Sequence, residues 1–271
     1  MAKFTFEDKQ IYYETHGEGA PLLLLNGIMM SCASWREFVP PLSAQNRLIM
    51  VDMIDQGRSD KYPAPYNHEI QLRLIHALLD HLGVDRVHIA GISYGSEIGL
   101  EYAILHPERV ERLMLFNATA ATGPWLGDIG KAWNLAADSG EAYYYTAIPV
   151  IYSPQFYMKQ RDWMEQRKKQ LIPIFESEEF IEAMKRLTVS SDDYDVRERL
   201  GEVRCPTLIV SARFDYLTPV EEQRYLADHI PDSHYVMIED SGHASMYEQP
   251  MLFAALVTGF ANTTKDKYGI T

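Results

Sequence analysis

Cysteine is scarce: Cys32 and Cys205 are the only two in 271 residues. They stand far apart and match no metal-ligand spacing, so neither a disulfide framework nor a cysteine metal centre is indicated. Two buried, reduced thiols are the simpler expectation than a single disulfide. Basic residues are also few, 25 Lys and Arg against 38 Asp and Glu, which leaves a formal net charge of −13. So acidic a chain is poorly suited to phosphate backbones or anionic membrane surfaces. Neither nucleic acid nor membrane is therefore expected as a partner. Long hydrophobic runs are missing as well. Residues 22–25 make the longest near the start, far below the ~20 residues that span a bilayer. No apolar stretch follows basic residues after Met1, so no secretory leader is read. A cytoplasmic protein with a small-molecule substrate is expected.

What is present points to layered α/β architecture. The chain is long enough for one such domain with an insertion. Continuous apolar runs at residues 22–25, 48–51, 87–90 and 113–116 read as strands buried on both faces of a mostly parallel sheet. Residues 3–7 and 11–15 read as an opening antiparallel pair. Helical patterns over residues 67–82 and 96–105 fall between these runs, the first stopped by Gly83 and the second by Pro107. From about residue 121 to 200 strand-like runs disappear and the chain turns aromatic and helical, with Trp125, Trp133, Tyr143-Tyr144-Tyr145, Phe156 and Trp163. Strands return at residues 207–210 and 234–238. The simplest division is a core of residues 1–121 and 200–271, interrupted by a helical insertion of residues 122–199. The polar end, residues 263–271, reads as frayed.

Chemistry concentrates at strand ends. Gly91-Ile92-Ser93-Tyr94-Gly95 has the G-x-S-x-G form of a nucleophile elbow, with a strand before it and a helix after. Glycines two before and two after the serine let strand and helix approach closely. The helix start adds a positive dipole and a free N–H at Tyr94. A serine hydroxyl needs a base, and histidine serves near neutral pH. Of nine histidines, His243 lies in a loop after the strand ending at residue 238, on the edge where Ser93 is expected. His68, His76 and His81 fall on a helical pattern and read as solvated; His88 reads as packed inside a strand. Asp215 follows the strand 207–210 on the same edge, and the order Ser93, Asp215, His243 suits a catalytic triad. Glu239 and Asp240 follow directly on a strand and read as turn residues.

The chain resembles the α/β-hydrolase superfamily in its cap-bearing branch. Four segments carry the likeness over nearly the whole length: Asn26-Gly27-Ile28-Met29, where the family has a His-Gly oxyanion loop; residues 52–59, similar to D-x-x-G-x-G-x-S; the elbow; and residues 242–250, similar to G-H-x(4)-E-x-P. The resemblance implies an oxyanion hole from the backbone N–H groups of Ile28 and Tyr94, a helical cap over residues 122–199, and no metal or organic cofactor. Asn26 stands where the family usually has histidine, and Asp55-Gln56 where it has Gly-His; because the donor is a backbone group, the first departure bears on the shape of the loop and not on the presence of the donor. Serine at the elbow argues against the dehalogenase and epoxide hydrolase branches, which use aspartate. The expected reaction is hydrolysis of a carboxylic ester, lactone or thioester through an acyl-enzyme. An acyltransferase with the same triad and a non-catalytic ligand-binding protein of this fold are the alternatives.

Overall fold

The computed structural model describes residues 2–263; past Thr263, the end expected to fray lies outside them. Eight strands form one sheet: β1 (Ala2–Phe6), β2 (Lys9–His16), β3 (Ala20–Leu25), β4 (Asn46–Val51), β5 (Val87–Ile92), β6 (Val110–Phe116), β7 (Thr207–Ala212) and β8 (Ser233–Ile238), in the order β1-β2-β4-β3-β5-β6-β7-β8. β2 runs antiparallel to both its neighbours, and every other pairing is parallel. Parallel strands lie covered on both sides, which explains their unbroken apolar runs. Leu22 to Leu25 are all at most 1% exposed. The chain moves one way from β3 to β4 and the other way to β5, so the order reverses beside β3. A crevice opens at the carboxyl ends of strands at such a reversal.

Helices α1 (Val39–Ser43), α2 (Glu69–His81) and α3 (Tyr94–Leu105) follow strands of the first half. The helix expected from residue 67 begins at Glu69, because the Asn67 side chain accepts from the Glu69 N–H and closes a local turn instead. The next begins at Tyr94 rather than at residue 96, since the chain passes from β5 into α3 with only Ser93 between. Five helices then lie between β6 and β7: α4 (Pro124–Leu135), α5 (Gly140–Ile151), α6 (Pro154–Lys159), α7 (Arg161–Phe175) and α8 (Glu178–Ser190). Where the chain leaves for α4 and returns after α8, Ala121 bridges Asp195. Thr122 N–H donates to the Tyr194 carbonyl and Val196 N–H to that of Ala120, both at 2.9 Å. The aromatics of α5 to α8 pack largely on one another, as in the Tyr143–Phe175 and Phe156–Trp163 pairs. The chain ends through α9 (Val220–His229), α10 (Ser245–Glu248) and α11 (Pro250–Ala261).

Candidate active site

β5 delivers Ser93 directly to the start of α3. Ser93 has φ 53° and ψ −123°, a region that side-chain-bearing residues rarely occupy and that costs of order 1–3 kcal/mol. Both flanking glycines are needed. A Cβ on Gly91 would overlap the Gly95 carbonyl, and one on Gly95 would strike the carbonyls of Leu25 and Asn26. The strained turn is held by the Ser93 N–H donating to the Phe116 carbonyl at 2.9 Å. The N–H of Tyr94 belongs to the helix-start amides that have no intrahelical acceptor.

Asp215 and His243 meet on the same edge. Asp215 Oδ2 lies 2.8 Å from His243 Nδ1, with both side chains buried. Oδ1 accepts from the N–H groups of Leu217 and Thr218, each at 2.9 Å, and Oδ2 also from Thr218 Oγ1 at 2.8 Å and Asn117 Nδ2 at 2.7 Å. Burial opposes ionisation of Asp215. The neighbouring His243 and these donors outweigh it, so its pKa stays below the usual carboxylate range. Asn117, at the end of β6, was not expected at the site. It adopts φ 52° and accepts from Ser245 Oγ at 2.8 Å, so it braces the acid from behind. An asparagine directly after a buried strand, able to enter left-handed geometry, was the available signal.

His243 is fixed by its own segment. The Gly242 N–H donates to Glu248 Oε1 at 3.1 Å, and the same carboxyl accepts from Ser153 N–H at 2.8 Å and Ser153 Oγ at 2.5 Å. Burial raises the Glu248 pKa against these hydrogen bonds. Ser93 and His243 line one cavity of about 190 Å³, bounded by Gly27, Ile28 and Met29 on the sheet side and by α4, α5 and α7 opposite. That is room for a small organic molecule, well beyond one water.

The unusual loop residues bond to one another. Asn26 is fully buried; its Nδ2 donates to the Val51 carbonyl at 2.8 Å and to Gln56 Oε1 at 3.0 Å, and its Oδ1 accepts from Trp35 Nε1 at 2.6 Å. Gln56 Nε2 in turn donates to the Gly27 carbonyl at 3.1 Å. The pair therefore fastens the Gly27-Ile28 loop from beneath and leaves Ile28 on the cavity wall. Asp55, at φ 69°, forms a two-pronged ion pair with Arg186 of α8 at 2.7 and 2.9 Å. Sequence reading gave these positions no such role.

His68 departs from the solvated helix-face expectation. It precedes α2 and is only 4% exposed. Its Nδ1 lies 2.6 Å from Glu101 Oε2 and its Nε2 2.9 Å from Ser191 Oγ. Glu97, one turn after Ser93, is buried beside them, bonded by Ser191 Oγ at 3.2 Å, and reaches the cavity wall. Burial, with Glu101 nearby, holds the Glu97 carboxyl above its ordinary pKa despite His68 and Ser191. His76 and His81 are more exposed, and His88 packs within β5 as read. Glu239 pairs with Arg213 on the surface.

Both cysteines are free and buried. Burial pushes the Cys205 thiol up to about 11. Among the described residues no group of three or more His, Cys, Asp or Glu is placed to hold a metal ion. No helix among them is long and apolar enough to cross a membrane.

A family model described as alpha/beta hydrolase fold matches residues 20–250. MGS-M2, an alpha/beta hydrolase enzyme from a Medee basin deep-sea metagenome library, superposes with a TM-score of 0.97 at 46% identity, over 99% of this chain and 100% of that one. A protein of Azorhizobium caulinodans named "Putative carbamate hydrolase RutD" is 31% identical over 93% of this chain and 95% of its own. Est816, an N-acyl homoserine lactone degrading enzyme, has a TM-score of 0.82 at 25% identity, over 95% of this chain and 99% of that one.

Proposed function

The chain belongs to the α/β-hydrolase family, and from that premise we propose that it cleaves carboxylic ester-type bonds with Ser93 as nucleophile, His243 as base and Asp215 as its carboxylate partner. The observation that carries this reading is the meeting of a strained serine elbow and the Asp215–His243 pair at one cavity. His243 Nε2 takes the Ser93 proton as Oγ bonds to the substrate carbonyl carbon. The oxyanion is received by the N–H groups of Ile28 and Tyr94, each worth about 3 kcal/mol of barrier. Collapse breaks the bond to the leaving group, which takes the proton from His243. Water then attacks the acyl-enzyme by the same route, releasing the acid and restoring Ser93. Asp215 keeps Nδ1 protonated and stabilises the imidazolium. In this reading residues 122–199 form a helical cap over a core of residues 1–121 and 200–271.

The relatives support a carbonyl bearing an oxygen- or nitrogen-linked leaving group: one is named for carbamates and another for acyl homoserine lactones. The same residues serve esters, thioesters, lactones and carbamates. A panel of all four, run on the native protein beside Ser93→Ala, tests the assignment. Turnover in Ser93→Ala is expected to fall by about 10⁴-fold or more, with the thermal midpoint little changed. Undiminished turnover in the variant rejects Ser93 as nucleophile.

A further inference from the structure

One cation in the cavity wall has no carboxylate to balance it. Arg167, on α7, is half-buried and lines the same cavity as Ser93 and His243. Its guanidinium lies 4.9 Å from the ring centre of Tyr247 and 5.8 Å from that of Trp163. Tyr247, in α10, stands four residues after His243, which puts Arg167 on the histidine side of the cavity. Aromatic rings stabilise such a charge without neutralising it. Among the described residues no Asp or Glu comes within ion-pair distance of it. Its Nε is buried and makes no hydrogen bond. Arg186, by contrast, spends its Nε and Nη2 on Asp55.

The wall of the same cavity has further buried groups without partners. Trp133, 5% exposed, has an unbonded Nε1, and the Thr122 hydroxyl and the acceptor Asn134 Oδ1 also lack partners; all three residues line the cavity. Buried polar groups are nearly always hydrogen-bonded, so unbonded ones on residues that line a cavity bear on what it is shaped to receive. An indole N–H only donates, and a guanidinium only donates and is always charged. The complement is an anion that accepts several hydrogen bonds. A planar carboxylate matches the edge of a single guanidinium through two parallel bonds. A neutral amide or hydroxyl would meet the donors and leave the charge unbalanced.

We propose that Arg167 receives a carboxylate carried by the substrate in addition to the bond that is cleaved. The inference deepens, and rests on, the hydrolase reading above. It makes the substrate class a monoanionic ester, lactone or carbamate. Arg167 would then determine specificity through binding and take no part in bond-making.

The test compares p-nitrophenyl half esters of adipate, pimelate and suberate with the hexanoate, heptanoate and octanoate esters of matching length. The native protein is expected to favour a half ester in kcat/KM by about 10- to 100-fold, mostly through KM, as charge-assisted hydrogen bonds allow. In Arg167→Gln that ratio should fall to near parity, and Arg167→Lys should restore part of it. Because the readout is a ratio, a general loss of folded enzyme does not imitate the effect. A ratio unchanged in Arg167→Gln overturns the proposal, as does a native preference for the neutral ester. Calorimetric titration of monomethyl adipate into Ser93→Ala reads the subsite without turnover. There, affinity should drop by a similar factor when Arg167→Gln is added, and equal affinity overturns the proposal independently. Failure of the hydrolase reading itself looks different: Ser93→Ala would cleave as fast as the native protein.

Discussion

Asp215, buried behind His243, and Arg167, in the wall of the cavity that His243 lines, are treated in opposite ways. At the carboxyl edge of the sheet, Asp215 receives Leu217, Thr218, Asn117 and His243, and its charge is fully met within the protein. In the helical wall, Arg167 Nε, Trp133 Nε1 and the Thr122 hydroxyl are buried without partners. In the proposed mechanism the edge is preorganised, its donors already set around Asp215 before a substrate arrives. The wall leaves these donors unmet within the protein, along with the acceptor Asn134 Oδ1. On the proposed function, chemistry resides in the sheet edge and selectivity in the helices between β6 and β7, and variants on the two sides should divide accordingly into effects on kcat and on KM.

The sharpest way to break that division is Asp215→Asn. The amide keeps the shape but presents a donor where His243 Nδ1–H needs an acceptor, which favours the wrong tautomer. A loss of about 10³- to 10⁴-fold in kcat is expected, with KM nearly unchanged. Steady-state kinetics on any ester the native protein accepts checks it. A change confined to KM would mean that Asp215 shapes the pocket and does not orient the base.

The tie between the two regions gives the next largest effect, this time on stability. Asp55 is fully buried and its carboxylate is met by Arg186 and by the Tyr62 N–H at 3.1 Å. Arg186→Met leaves that carboxylate buried without its counter-charge, at a cost of about 3 kcal/mol. The double variant with Asp55→Asn should recover most of the loss, since it removes the unbalanced charge as well. Urea unfolding of the three variants beside the native protein measures both numbers. Equal stability of the single and double variants would show that the pair contributes packing and not charge balance.

The two regions also differ in how far they could be read from sequence. Ser93 and His243 were legible because a strand end, a glycine spacing and a loop position are local patterns. β3, β5 and β7 were legible because burial on both faces forces unbroken apolar runs. Asn117 was not, since its bond to Asp215 joins residues 98 apart and no local period announces it. The Asp55–Arg186 pair spans 131 residues, and the same Asp55 looked only like a departure from a motif. Asn26 and Gln56 looked like two separate departures and are one contact. Helix periodicity describes the face of a helix, whereas His68 lies just before the first turn of α2, bonded to Glu101 and to Ser191 past the end of α8. Long-range polar partners follow from packing between elements, which sequence spacing does not record.

Glu97 gives the smallest effect and the most direct test of whether the wall carries a second unresolved charge. Its carboxyl is buried one turn below Ser93, where burial and Glu101 raise its pKa above the ordinary 4.5, and His68 and Ser191 offset this only in part. The folded protein therefore binds this proton more tightly than the unfolded chain. Stability is then fully present below the ordinary pKa, declines as pH rises towards the raised folded value, and stays lower above it. Glu97→Gln removes that titration while keeping the side-chain volume and an acceptor for Ser191. The difference in thermal midpoint, variant minus native, should be near zero at acid pH and grow positive as pH rises to neutral. In a chain of this size about 1 kcal/mol moves the midpoint by about 2–4 °C, so a small shift is readable by calorimetry. Titrations elsewhere are common to both proteins and cancel in the difference. A difference that stays flat with pH would mean that Glu97 is as easily ionised folded as unfolded, its charge already balanced by His68.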